Sequence, residues 1–171
     1  MYDGIINIYK EKGFTSQDVV AKLRGILKMK KIGHTGTLDP DAEGVLPVCV
    51  GKATKLCELL LEKSKTYEAT CVLGLTTDTQ DMSGKVLRES DVDVTKEDIE
   101  NAVKAFLGGY DQIPPMYSAL KVNGKKLYEL AREGKEVERK PRRVVLDNID
   151  IIDISDAIKH ITIRVDSSKG T

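Results

Sequence analysis

Asp39 is the residue of this 171-residue chain best placed to do chemistry. It lies in GHTGTLDPDAEGVLP, Gly33 to Pro47, with His34 upstream and Asp41 and Glu43 close behind. Glycine is entropically costly inside a helix or strand, and proline removes a backbone donor. Gly33, Gly36, Gly44, Pro40 and Pro47 therefore predict a loop over the whole stretch. A carboxylate whose direction is fixed by a Leu-Asp-Pro step can attack an electrophilic sugar carbon and hold a covalent intermediate. An aspartate that caps the turn before Pro40 accounts for the same residue types, and composition leaves both readings open.

Other chemistries fit the stretch less well. Asp39, Asp41, Glu43 and Gly44 match positions one, three, five and six of a calcium loop, but position twelve, which should be a bidentate Glu, is Val50. GKAT, Gly51 to Thr54, echoes the end of a phosphate-binding loop. That motif needs Gly where Leu46 stands and Ser or Thr where Ala53 stands. The two histidines, His34 and His160, are not accompanied by a nucleophile elbow, so a Ser-His-Asp triad has no support.

The elements that must hold such a loop can be read from periodicity. Residues 4–9 predict a strand. Ser16 is expected to cap a helix with Val19, Val20, Leu23, Ile26 and Leu27 on one face and Lys22, Arg24, Lys28 and Lys30 on the other. Residues 52–62 predict a helix with Leu56, Leu59 and Leu60 inward. Tyr67 to Leu75 predicts a strand, followed by a polar loop over residues 76–85. Thr95 and Asp98 form a capping-box pattern that opens a helix with Ile99, Val103, Phe106 and Leu107, stopped by Gly108-Gly109. Ile113-Pro114-Pro115 must be extended. Lys125 to Arg132 predicts a short helix ending at Gly134. Val144 to Ile154 and Ile158 to Val165 predict two strands. The mixture favours one domain of α+β class, a mixed, largely antiparallel sheet flanked by helices.

Bulk properties narrow the classes. Charged residues make up 32% and the formal net charge is zero. Basic residues nevertheless cluster: Lys22 to Lys31 holds five and no acid, and Lys121 to Arg143 holds nine against four acids. Such patches can steer an anion, or simply form solvated faces. Cys49, Cys57 and Cys71 lie in apolar surroundings without framework spacing, as buried free thiols do in a reducing compartment. The N-terminus has no signal-peptide hydrophobic region, and no apolar run reaches membrane-spanning length. The expected location is the cytoplasm, with no membrane partner.

GHTGTLDPDAEGVLPVCVGKATK resembles the signature of the TruB family of tRNA pseudouridine synthases. Lys10 to Val20, Lys65-Thr66-Tyr67, GLTTDTQDMSG (residues 74–84) and PMYSALKVNGKKLYELAREG (residues 115–134) resemble further family blocks, in order and in register. The resemblance implies the pseudouridine synthase fold and isomerisation of the tRNA T-loop uridine, position 55, to pseudouridine, without metal or cofactor. It places Asp39 on the catalytic aspartate, His34 on the residue that supports the disrupted T-loop and Tyr67 on the residue stacked against the target base. Asp81 falls on an acidic position linked to the catalytic network. The tRNA T-stem-loop is the implied partner, with Lys22, Lys28, Lys30 and Lys31 as expected phosphate contacts.

In the family, SKGT continues into Tyr-Ile-Arg, whose Arg pairs with the catalytic Asp and whose Tyr contacts the base. The chain ends at Thr171. Residues 1–171 are thus expected to be a partial catalytic domain, lacking its C-terminal part and a C-terminal RNA-binding domain, and inactive or weak alone. A strand near Ile161 to Val165 is expected to lack a neighbour, an edge open to self-association or to a complementing C-terminal chain. The competing readings are a non-catalytic RNA-binding module and a calcium-binding or structural protein.

Overall fold

The computed structural model describes residues 2–118, 120–155 and 157–168. The end of the chain over which the SKGT comparison was made, Lys169 to Thr171, lies outside them. The chain divides into two compact units, Met1–Lys63 and Ser64–Thr171.

The first unit runs β1 (Gly4–Lys10), α1 (Ser16–Leu27), β2 (Ile32–His34), β3 (Gly44–Val50), a 3-10 turn (Gly51–Leu56) and α2 (Cys57–Leu61). Its sheet has the antiparallel order β1-β3-β2. β1 alternates as a half-buried strand should, with Ile6 and Ile8 packed inward and Ile5 and Tyr9 exposed. Val19 and Val20 of α1 close the core against Ile32, Leu46, Val48 and Val50.

Four sequence expectations change here. Thr15, not Ser16, caps α1: its hydroxyl accepts from the Asp18 N–H while the Asp18 carboxylate accepts from the Thr15 N–H. The Thr15 hydroxyl, which also donates to the Asp18 carboxylate, and then the Thr15 N–H hold that carboxyl below its ordinary pKa. Ile26 is 65% exposed, because Val19, Val20, Leu23 and Leu27 already fill the face toward the sheet. Lys22 and Arg24 do not share a face, since two residues turn a helix by about 200°. Lys22 sits over the Phe14 ring, and Arg24 donates to the Ile32 carbonyl. Residues 52–62 begin as a 3-10 turn, and Leu56 and Leu59 are exposed.

The Gly33 to Pro47 stretch is only partly loop. Residues 44–47 belong to β3, the middle strand, and the loop proper is residues 35–43. Pro47 is tolerated there because the ladder to β2 stops beside it. Its carbonyl accepts from the Thr35 N–H and hydroxyl at 3.1 and 3.2 Å, just past the end of β2.

Lys10, at the end of β1, is fully buried. Its ammonium donates to the carbonyls of Phe14 at 2.6 Å, Glu11 at 3.1 Å and Pro40 at 3.5 Å. Lys10→Met keeps the aliphatic stem and takes the ammonium from the Phe14 carbonyl, while the Glu11 and Pro40 carbonyls keep the Phe14 and Gly13 N–H donors. A buried acceptor left unpaired costs about 1–3 kcal/mol. The urea midpoint of the variant is expected to fall by that equivalent with the slope unchanged.

The second unit runs β4 (Lys65–Val72), β5 (Leu75–Thr77), β6 (Val86–Glu89), α3 (Lys96–Lys104), β7 (Tyr110–Gln112), β8 (Lys121–Val122), β9 (Lys125–Lys126), α4 (Leu127–Arg132), β10 (Arg142–Val144), β11 (Leu146–Ile154) and β12 (His160–Ser167). Its main sheet is antiparallel, in the order β11-β12-β4. One face carries Ile149, Ile151, Ile161, Ile163, Val165, Tyr67 and Ala69 in register. The other pairs Thr66 with Asp166, Glu68 with Arg164 and Thr70 with Thr162 across the strands.

β12 is thus the central strand. Ile161 to Val165, expected to form an open edge, is paired on both sides. Periodicity reports a strand and its buried face but not its neighbours. Further departures are local. α3 ends at Lys104, so Phe106 and Leu107 lie past it and are half exposed, with Phe106 edge-on to Tyr110. Lys125 and Lys126 are strand residues of a tight hairpin: Asn123 and Gly124 both take positive φ, the turn that Asn-Gly favours. α4 then starts at Leu127 and buries Leu127 and Leu130.

Candidate active site

The backbone on either side of Asp39 is held from β1 and α1. The Ser16 hydroxyl accepts from the Leu38 N–H at 2.9 Å and donates to the Leu38 carbonyl at 3.2 Å. The Pro40 carbonyl accepts from the Gly13 N–H at 2.8 Å as well as from Lys10. The Asp39 carbonyl accepts from the Ala42 N–H at 3.1 Å, which closes the turn. Pro40 also restricts Asp39 to extended conformations. Asp39 itself is exposed. The carboxylate is thus open to solvent on a backbone anchored on both sides.

His34, the last residue of β2, is half buried on the sheet face that carries Val48 and Val50. Its Nδ1 is buried without a hydrogen-bond partner among the described residues. His34 and Asp39 flank one short segment of the first unit.

Tyr67 and Asp81 belong to the second unit. Tyr67 lies on β4, opposite Val165 on the apolar face of the sheet, with 37% of its surface exposed. Asp81 organises the β5–β6 hairpin. Its Oδ1 accepts from the Ser83 hydroxyl at 2.6 Å, the Thr79 hydroxyl at 2.7 Å and the Ser83 N–H at 2.8 Å. The Ser83 and Thr79 hydroxyls, in that order, pull its carboxyl below the ordinary value. The loop is tight: a Cβ on Gly84 would collide with the Thr79 hydroxyl and the Asp78 carboxylate.

Lys22, in the middle of α1, and Lys28, Lys30 and Lys31, past its end, are all exposed. The cysteines divide. Cys49 is buried, and burial first and Cys57 second push its thiol up to about 11. Cys57 is half buried. Cys71 is exposed, contrary to expectation, because it lies on β4, most of which faces solvent. Among the described residues no three His, Cys, Asp or Glu side chains converge to hold a metal ion. Among the described residues no helix is long and apolar enough to cross a membrane.

Sequence reading singled out Asp39 and His34 but not the anchors Lys10, Gly13 and Ser16. The available signal was the KEKGFTS stretch, a lysine and a hydroxyl residue flanking a glycine turn, which periodicity divides between strand and helix.

A family model described as TruB family pseudouridylate synthase (N terminal domain) matches residues 24–171. The tRNA pseudouridine synthase B of Lachnoclostridium phytofermentans is 62% identical, covering 99% of this chain and 57% of that protein. That of Clostridium perfringens is 54% identical, with 99% and 58% covered. The chain therefore spans less than three-fifths of the length of these relatives. A solved Cbf5-Nop10-Gar1 complex aligns over 98% of this chain and 40% of its own, with TM-score 0.71 and 31% identity. An H/ACA RNP bound to a substrate RNA containing 2′-deoxyuridine aligns with TM-score 0.68 and 28% identity, over 98% of this chain and 38% of its own.

Proposed function

This chain belongs to the TruB family of pseudouridylate synthases, and we propose that it carries the catalytic aspartate of a cytoplasmic tRNA pseudouridine synthase acting on uridine 55 of the T-loop. The observation that carries the reading is Asp39: a solvent-open carboxylate between two residues, Leu38 and Pro40, whose backbones are tied to α1 and to the end of β1.

The target base must leave its stack to be reached, at a cost of a few kcal/mol. Stacking on Tyr67 returns about 1–3 kcal/mol. Asp39 attacks C1′ as the N1–C1′ bond breaks, giving a glycosyl ester and a freed uracil. The uracil turns in the pocket, and C5 attacks C1′ and displaces the Asp39 carboxylate. The C5 proton leaves to solvent, and N1 gains one. Net composition is unchanged, so no redox group or metal is required by the balance. The family resemblance gives His34 a contact with the opened T-loop and gives Asp81, which holds the β5–β6 hairpin in shape, a place in the catalytic network.

The test uses residues 1–171 joined to the remaining C-terminal part of the Lachnoclostridium phytofermentans relative, hereafter the fusion. Incubated with an unmodified tRNA transcript, it is expected to place pseudouridine at position 55, mapped by carbodiimide adduct and primer extension. Modification elsewhere, or none, overturns the assignment.

The basic residues give a second expectation. Replacing Lys22, Lys28, Lys30 and Lys31 together by Gln should weaken T-stem-loop binding and flatten its salt dependence. Each lost phosphate contact removes about 0.7–0.9 from the log–log slope. Because Lys22 is drawn over Phe14, the other three should account for most of the change. An unchanged slope would mean that these lysines only solvate the surface.

A further inference from the structure

We propose that Ser16 is a positioning residue that aims the Asp39 carboxylate; this rests on the assignment of Asp39 as the attacking group. Ser16 opens α1, but Thr15 already supplies the cap, so the Ser16 hydroxyl is not needed by the helix. It is 2% exposed and spends both of its hydrogen-bonding functions on Leu38, accepting from the N–H and donating to the carbonyl. A hydroxyl used this way takes the place of a neighbouring strand for one residue of a loop. It holds the N-terminal side of Asp39, while Gly13 and Lys10 hold the C-terminal side through Pro40.

Removing the Ser16 hydroxyl frees one side only. The loop stays attached at Pro40, and Leu38 can swing, carrying the carboxylate with it. A displacement of about 1 Å at a reacting group costs on the order of 10²-fold in rate. The expected effect is therefore on turnover and not on RNA affinity, because Ser16 is buried away from any ligand.

In the fusion, Ser16→Ala is expected to lower kcat about 10- to 100-fold with KM within twofold, and to speed hydrogen exchange at the Leu38 amide. Asp18→Ala serves as the stability control: it breaks the Thr15 capping box of the same helix without touching Leu38, and should leave kcat unchanged. Ser16→Cys covers the case in which Ser16→Ala does not fold. It keeps the volume with a weaker donor and acceptor, and its kcat should fall between the wild type and Ser16→Ala, or below the wild type if Ser16→Ala cannot be measured. Wild-type kcat in whichever Ser16 variant folds overturns the proposal. So do parallel kcat losses in the Asp18 and Ser16 variants, which would reduce Ser16 to a folding role. Asp39→Asn separates this from its premise: turnover surviving in Asp39→Asn overturns the assignment of Asp39, whereas a dead Asp39→Asn beside a fully active Ser16→Ala overturns only the role of Ser16.

Discussion

Asp39→Asn in the fusion is expected to lower pseudouridine formation by at least ~10³-fold while T-stem-loop binding stays within about threefold. Losing the group that forms the covalent bond is among the largest single-residue effects on an enzyme. Asparagine keeps the size and some hydrogen bonding of aspartate but not its nucleophilic oxygen pair. The fold should not notice. Asp39 is exposed, and its loop is held through the backbones of Leu38 and Pro40 and not through the carboxylate. A melting temperature equal to that of the wild type, filter-binding affinity near the wild type and absent product together support the assignment. Loss of product accompanied by equal loss of binding would instead make Asp39 an RNA contact.

The second large effect concerns residues 1–171 as an isolated polypeptide. They are expected to turn over at least ~100-fold more slowly than the fusion. The family resemblance places an Arg against the catalytic aspartate and a second aromatic against the base, both beyond Thr171. Removing one group that stabilises charge in a transition state costs about 10²–10³-fold. Supplying the remaining C-terminal part of the relative as a second chain should restore turnover in a concentration-dependent way. The recovered turnover should vanish when Asp39→Asn is present in residues 1–171. Equal rates for the isolated chain and the fusion would show that residues 1–171 already hold everything the reaction needs.

What sequence reading reached and what it missed divide along one physical line. Local chemistry was legible. The Thr95–Asp98 capping box and the alternation of β1 follow from short-range rules, and both stand in the structure. Pairing was not. That Gly44 to Pro47 joins a central strand depends on β2 ending beside Pro47, and that Ile161 to Val165 is doubly paired depends on β4, about ninety residues earlier. The Ser16–Leu38 and Lys10–Pro40 contacts are of the same kind, joining residues 22 and 30 apart in the chain. A buried lysine and a spare hydroxyl leave no periodic trace, so the groups that hold the candidate site emerged only from coordinates. The Asn123-Gly124 turn is the exception, a local signal present in the sequence and passed over in favour of an earlier helix start.

The most direct measurement is tritium release from T-stem-loop RNA labelled at C5 of uridine, followed for the fusion and for its Asp39→Asn variant under single-turnover conditions. Bond formation at C5 expels that hydrogen, so the count reports the isomerisation itself. The fusion should release one tritium per target uridine, and Asp39→Asn should release none above the no-enzyme background. Release by Asp39→Asn at the rate of the fusion would contradict the account.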